Sequence, residues 1–510
     1  MTDHRPGRDN ASAAGARQDA PLKTGPLPTG PQARRLARAA AAAVALAILT
    51  LAGCATPGPQ TPPAARITPA AAGLAAGPVA DTAFPDTAWW RALGDPALDA
   101  LIAQGLAGQP ALQAAAARLA VAAADADALV ASQGPQLGGA LELTRQRYTQ
   151  HGLVPPPIAG STRDVVSVQA TVRYELDFFG RHVAALQAAL GQQQAAAAEL
   201  QAARVLLSAN LARGWVGLAR LFELRELAER TLAQREAQLD LTRQRVAAGL
   251  DSEVELRLAQ GALPDARQQI EALNGQITLA RHQLAVLSGQ APQALLSAQP
   301  ALQPLRQAAL PEHLGADLLG RRADVVVARW RVESALGRVA RARAEFYPNI
   351  NLIGFVGLSS LGLNRLLSAG SRNIGVGPAL HLPLFDGGLL RAELGARAAE
   401  ADAAVAAYNG AVLEAAREVA DAGATLQSIN RQQADQAQAG AATEAAYRLA
   451  LQRYQAGLGS YLLVLGAESA VLAQRGNAAE LKARALDTQV ALMRALGGGW
   501  RDDSPAQAAR

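Results

Sequence analysis

The sequence predicts an α+β membrane protein in which each chain gives four strands to a β-barrel and long helices continue that barrel as a tube. Three observations carry this. The chain repeats itself once, each copy holds two segments of period-two alternation, and each holds a proline-free stretch of roughly seventy residues rich in Ala, Leu, Gln, Arg and Glu.

The repeat is legible by self-comparison. "LTRQRVAAGLDS" (241–252) and "LALQRYQAGLGS" (449–460) share seven of twelve residues at an offset of 208. Pro135 and Pro348, like Arg118 and Arg331, stand 213 apart, so five residues are gained between 135 and 241 in the first copy. The Pro/Gly loop "QHGLVPPPIAGST" (150–162), longer than "SLGLNRLLSAGS" (360–371), is where the insertion is expected, since insertions collect in surface loops. The expected organisation is a leader over 1–53, an N-terminal linker over 54–95, a first copy over 96–300, a linker over 301–320, a second copy over 321–500 and a tail over 501–510.

Arg34, Arg35 and Arg38 precede an apolar run from Ala39 to Leu49, followed by small residues up to Gly53. That order is an export signal, and the run is too short to span a bilayer. Arg34-Arg35 reads as an ordinary basic n-region rather than a twin-arginine signal. Leu51-Ala52-Gly53-Cys54 resembles the lipobox of bacterial lipoproteins, in which Cys54, the only cysteine, becomes an acylated mature N-terminus. The competing reading is a small buried thiol. By the sorting rule of such lipoproteins, Ala55 after the cysteine directs the chain to the outer membrane. Residues 1–33 lie upstream of a useful n-region, as expected of a start codon placed too early.

Each copy opens with a helix, expected over 97–133 (broken near Pro110) and over 322–346. Strands follow. In "VVSVQATVRYEL", Val166, Val168, Ala170, Val172, Tyr174 and Leu176 share one face, and Ser167, Gln169, Thr171, Arg173 and Glu175 the other. Leu137, Leu141 and Leu143 likewise oppose Glu142, Thr144 and Gln146. In the second copy Ile350, Leu352, Val356, Leu358 and Ile374, Val376, Leu380, Leu382 form less regular apolar faces. Single segments of this kind also suit a half-buried soluble sheet, but four behind an export leader favour a transmembrane barrel. Residues 182–248 and 389–456 then predict helices of roughly 100 Å. Gly-Leu-x-Ser turns, Gly249 to Ser252 and Gly457 to Ser460, reverse the chain into second helices ending near Gly289 and Gly497.

In hydrocarbon every backbone polar group must be paired, and barrels start at about eight strands, so four strands require several chains. A dimer would supply eight and a trimer twelve. The strand loops face outside the cell and the helical hairpins the periplasm. Other classes lack support. The formal net charge of +5 includes a net +4 from the seven basic and three acidic residues of 1–53, and aromatics are few, which removes nucleic acid as a partner. No two of the six histidines are spaced as metal ligands, and no catalytic set accompanies Asp177, Glu345 or Asp386, so no enzyme, metal or cofactor is expected. A periplasmic coiled-coil adaptor would leave the strands unexplained.

The segments "WWRALGDPALDALI" (89–102), "QPALQAAAARL" (109–119), "YELDFFGR" (174–181), "RRADVVVARWRVESALGRVARARAEFYPNINL" (321–352), "LPLFDGG" (382–388) and "LQRYQAGLGSYLLVLGAESAVLAQR" (451–475) bring a family into view. The chain resembles the TolC/OprM outer-membrane efflux proteins, and within them the lipoprotein branch often called NodT-like. The resemblance implies a homotrimer with a twelve-stranded outer-membrane barrel over a twelve-helix periplasmic barrel closed at its tip. It implies a passive conduit that docks on a periplasmic adaptor and an RND-type inner-membrane pump, lipid-anchored in the outer membrane. Small-molecule efflux is the expected role, with one-step peptide or protein secretion as the alternative. Three positions depart from the pattern. Ala323 replaces a usual Pro, Pro264 lies inside a helix that it is expected to kink, and Gly466 stands where relatives often carry an acid that narrows the mouth, with Glu468 at the wrong helical angle. The expected tip and gate comprise Arg245, Gly249, Asp251 and Ser252 in the first copy. The second copy contributes Arg453, Tyr454, Gly457, Ser460 and Gly466. Glu253 also lies near the first turn. Arg453 and Tyr454 are expected to latch the mouth against the opposing hairpin.

Overall fold

The computed structural model describes residues 57–58, 62, 64–68, 70–73, 85–306 and 318–501. The first copy begins with α1 (Pro96–Gly108), started by Asp95, whose Oδ1 accepts from Ala97 N at 2.9 Å, with Pro96 at the first helical position. Pro110 ends that helix and opens α2 (Pro110–Gln133), the expected break. Strands β1 (Gln136–Arg147) and β2 (Thr162–Leu176) follow, then α3 (Arg181–Ala247) and α4 (Glu253–Leu287). After a short turn α5 (Leu318–Arg321), the second copy repeats the order. It contains α6 (Ala323–Ala344), β3 (Asn349–Leu361), β4 (Arg372–His381), α7 (Leu389–Gln455) and α8 (Tyr461–Ala495). The long helices α3 and α7 are 67 residues each and α4 and α8 are 35 each, so the duplication is preserved in length. Helix α4 runs on through Pro264 as a single element.

All four strands join one antiparallel sheet in the order β1-β2-β3-β4. The pairing between β2 and β3 fuses the two copies, with Val172 opposite Gly354 and Thr171 opposite Phe355. Register aligns the apolar faces across strands. Leu137, Val172, Gly354 and Val376 form one row, and Ala170, Val356 and Ile374 the next. Leu137 and Val376 are 74% and 79% exposed, as expected of a belt against lipid. Val166, on that face near the loop end, is instead buried, and Leu382 lies one residue past β4. The extra length of the first copy is shared between its loop and β2, which has 15 residues against 10 in β4. Both outer strands, β1 and β4, keep one unpaired edge.

Helices form a wall four wide. Near the sheet its order is α2-α3-α6-α7, and farther away it becomes α4-α3-α8-α7. Each long helix therefore packs first on the helix before its strands and then on the helix after its turn. Close approach of α3 and α6 depends on glycine. A Cβ on Gly337 would stand 2.8 Å from Ala188 N, and one on Gly191 2.9 Å from Ser334 N. The main core lies where α1, α3, α4 and α8 meet, built on Leu98, Ile102, Leu211, Leu218, Leu284 and Leu486. Ion pairs stitch the wall across helices: Arg213–Asp487 (2.6 Å), Arg220–Glu480 (2.6 Å) and Arg475–Glu444 (3.1 Å). No described helix is long and apolar enough to cross a membrane.

Candidate functional site

The hairpin turns at the far end of the wall share their glycine conformation and backbone hydrogen bonds and differ in chemistry. Gly249 (φ 69°) and Gly457 (φ 72°) occupy the left-handed position after the helix cap. Leu250 N then donates to Arg245 O at 2.9 Å and Leu458 N to Arg453 O at 2.8 Å, so each turn satisfies the last helical carbonyls in the same way. Ser252 starts α4 with a capping box: its Oγ accepts from Val254 N at 3.2 Å, and its N–H donates to Glu255 at 2.9 Å. Ser460 accepts from Leu463 N at 3.4 Å, without an acidic partner, because Leu463 stands where Glu255 does.

Side chains separate the two turns. Arg245 grips Asp251 with two bonds, Nε to Oδ2 at 2.7 Å and Nη2 to Oδ1 at 2.8 Å. The hydrogen bond from Arg245 holds the Asp251 carboxyl below its ordinary range, and the one from Ser252 does the same to Glu255. Glu253 pairs with Arg257 at 3.0 Å. In the second turn Gly459 replaces Asp251, so Arg453 has no such partner, and among the described residues its side chain makes no hydrogen bond or ion pair. Tyr454 packs on Tyr461 of its own hairpin, rings 5.0 Å apart at 42°. Within one chain, then, neither Arg453 nor Tyr454 bonds to the first hairpin among the described residues. Gly466 is exposed, with nothing within 4 Å of an added Cβ, and Glu468 lies two residues on, half-buried. Leu250, Val254 and Leu258 in the first hairpin and Leu458 and Leu462 in the second leave apolar side chains exposed at a spacing of four. Cys54 lies outside the described residues.

A second set of polar groups joins sheet to helices. Asp177 Oδ2 accepts from His182 N (2.9 Å) and Val183 N (3.1 Å), and Asp386 Oδ2 accepts from Leu390 N (2.7 Å). These bonds to helix N–H groups explain both aspartates as caps, and those from Leu390 and Gly388 hold Asp386 below the usual carboxylate range. Glu175 gathers Arg181, His182 Nε2 (3.2 Å) and Asn349 Nδ2 (3.1 Å), tying both copies together at the base of the barrel. Phe179 stacks on Tyr347 beside them, ring centroids 4.9 Å apart. Sequence reasoning missed Glu175 as a junction, since its partners come from separate elements. It missed Gln234 too, a buried side chain on α3 that donates to the Leu465 carbonyl of α8 just above the tip. Only the rarity of a buried glutamine marks that residue.

Comparison with known proteins places this architecture. The family model described as "Outer membrane efflux protein" matches residues 101–290 and 314–498, once for each copy. The multidrug resistance outer membrane protein MdtP of Escherichia coli K12 is 33% identical over 432 residues, which cover 83% of this chain and 88% of that protein. The fusaric acid resistance protein FusA of Burkholderia cepacia is 38% identical over 365 residues, covering 70% of this chain and 68% of that one. The crystal structure of the outer membrane protein VceC from Vibrio cholerae superposes with a TM-score of 0.76 at 33% identity, covering 82% of this chain and all of that one. The chain belongs to the outer membrane efflux protein family, whose members are channels of the outer membrane rather than enzymes, with the strands in the bilayer and the helices in the periplasm.

Proposed function

We propose that three copies of this chain form a passive conduit that receives small molecules from a periplasmic adaptor and an RND-type inner-membrane pump, in the lipid-anchored, NodT-like manner. The observation that carries it is the sheet of four strands with two open edges, mounted on helices of roughly 100 Å. Those edges can be satisfied in a bilayer only by β1 of one copy meeting β4 of the next. A trimer makes twelve strands above twelve helices, since the wall is four helices wide at every level. The tip, with exposed leucines beside paired charges, is the surface offered to the adaptor. Arg453, lacking an acid in its own turn, is free to reach a neighbouring chain and latch the mouth, with Gly466 supplying no acidic ring.

Chain length is consistent with the anchor. Ala64 N donates to Asp402 and Ile67 N to Asn409, both at 2.8 Å, so the N-terminal segment runs along α7 away from the barrel. Asp402 lies roughly 20 Å below the start of α7. The residues from Cys54 to Ala64 span at most about 35 Å, enough to bring an acylated Cys54 to the membrane face. Names among the relatives favour drug efflux over protein secretion. The test is deletion of the gene in a strain expressing its pump and adaptor, followed by dye and drug accumulation. Accumulation should rise, and plasmid-borne protein should reverse it. Unchanged accumulation together with loss of a secreted polypeptide would replace efflux with secretion.

A further inference from the structure

The inner face of the sheet is mostly polar, and at mid-strand two apolar side chains, Ile353 and Phe355, interrupt it. Phe355 pairs with Thr171 on one side and Gly375 on the other, so its ring shares the face that carries Gln169, Thr171 and Arg173 and lies opposite the lipid-facing row. It rests directly over Gly375, where an added Cβ would stand 2.6 Å from Phe355 Cζ. Position 138 of β1, in the same row, is also glycine. A large aromatic ring laid over one glycine, with the small Thr171 on its other flank and Gly138 beyond it, leaves room above it, at mid-barrel, for a second flat group.

The neighbouring charge gives that room a chemistry. Arg173 sits diagonal to Phe355 on the same face, a separation of roughly 7–8 Å that a long side chain bridges. It is exposed and, among the described residues, its side chain makes no hydrogen bond or ion pair. The nearest carboxylate on that face, Glu175, is occupied by Arg181, His182 and Asn349. Glu142 stands six residues along β1 from Gln136, the partner of Arg173, roughly 20 Å away. The guanidinium is therefore uncompensated and faces water.

We infer that Phe355, Thr171 and Arg173 form a lumen subsite for aromatic anions, repeated once per chain in the barrel. The ligand ring stacks on Phe355, its carboxylate pairs with Arg173, and the Thr171 hydroxyl lies between them as a hydrogen-bond donor. The subsite rests on the channel reading and specifies a class of solute that the conduit favours. It acts as a transient resting place, since the guanidinium is hydrated and the contact area small.

The test is fluorescence anisotropy of 2-naphthoate titrated with detergent-solubilised protein at fixed detergent concentration, a readout that does not require transport. Phe355→Ala should weaken binding roughly five- to tenfold, and Phe355→Tyr should retain it. Arg173→Gln should weaken 2-naphthoate severalfold while leaving 2-naphthylmethylammonium unaffected. Thr144→Ala, on the same face near the loop end, should match wild type. Equal affinity in wild type and Phe355→Ala, or no preference for the anion over the cation, overturns the subsite. Drug accumulation unchanged by deletion of the gene, with intact, Phe355-dependent binding, would instead overturn the efflux reading and leave the subsite standing.

Discussion

Arg322 is the only buried charge among the described residues, 6% exposed, at the start of α6. It donates to Asp324 (2.5 Å), to Glu418 (2.7 Å) and to the Ala495 carbonyl (3.2 Å), joining α6, α7 and α8. Burial alone would lower its pKa, and the bonds to Asp324 and Glu418 outweigh that and raise it. Removing it leaves Glu418 half-satisfied, so Arg322→Ala should cost about 3 kcal/mol in thermal or denaturant unfolding. Arg417→Ala, which removes an exposed pair on one helix, should leave unfolding unchanged. At the tip, Asp251 and Glu255 are held below their ordinary values of 3.8 and 4.5. Their contribution is complete above those values and fades as pH falls through the lowered ones. Hydrogen exchange should therefore show residues 245–255 losing protection below about pH 4 and residues 453–463, with no acid in their turn, losing none.

At the scale of elements, strand faces and helix contacts make separate demands. Val172→Arg should cost roughly 2–4 kcal/mol at mid-bilayer and Ser167→Arg much less, read by unfolding in lipid vesicles. Equal costs would mean that the apolar face does not meet lipid. Gly337→Ala pushes a methyl against the backbone of Ala188 and should cost about 2 kcal/mol. Gly440→Ala, on α7 with nothing within 4 Å, should be neutral or stabilising by up to about 1 kcal/mol. Helix lengths, the break at Pro110 and the faces of β1 and β2 were legible because each is written in local periodicity or a local stop. The second-copy strands were less so. Ile353 and Phe355 fall on the polar face, opposite Arg173 and Thr171, which blurs the alternation in β3.

For the whole molecule, the open edges of β1 and β4 predict that detergent-extracted protein runs as a trimer by light scattering. A folded monomer with intact strands would contradict closure. In planar bilayers, Arg453→Ala with Tyr454→Phe should give larger or more frequent openings than wild type. Gly466→Asp, which has open space for its side chain, tests the acidic-ring alternative. If only Gly466→Asp changes gating, the latch is wrong.

The sequence alone specified the duplication, the two kinds of element, their lengths and the Gly-Leu-x-Ser turns, because these depend on spacing, on strong helix formers and on glycine at positive φ. It also carried the family, through segments distributed along both copies. Only in the folded chain does it become visible which strand pairs with which, that β2 meets β3, and that Asp177 and Asp386 cap helices. The same holds for the gathering of Arg181, His182 and Asn349 on Glu175 and for the partnerless state of Arg453. Those outcomes turn on contacts between residues up to hundreds of positions apart, and no local pattern encodes which distant side chain will arrive.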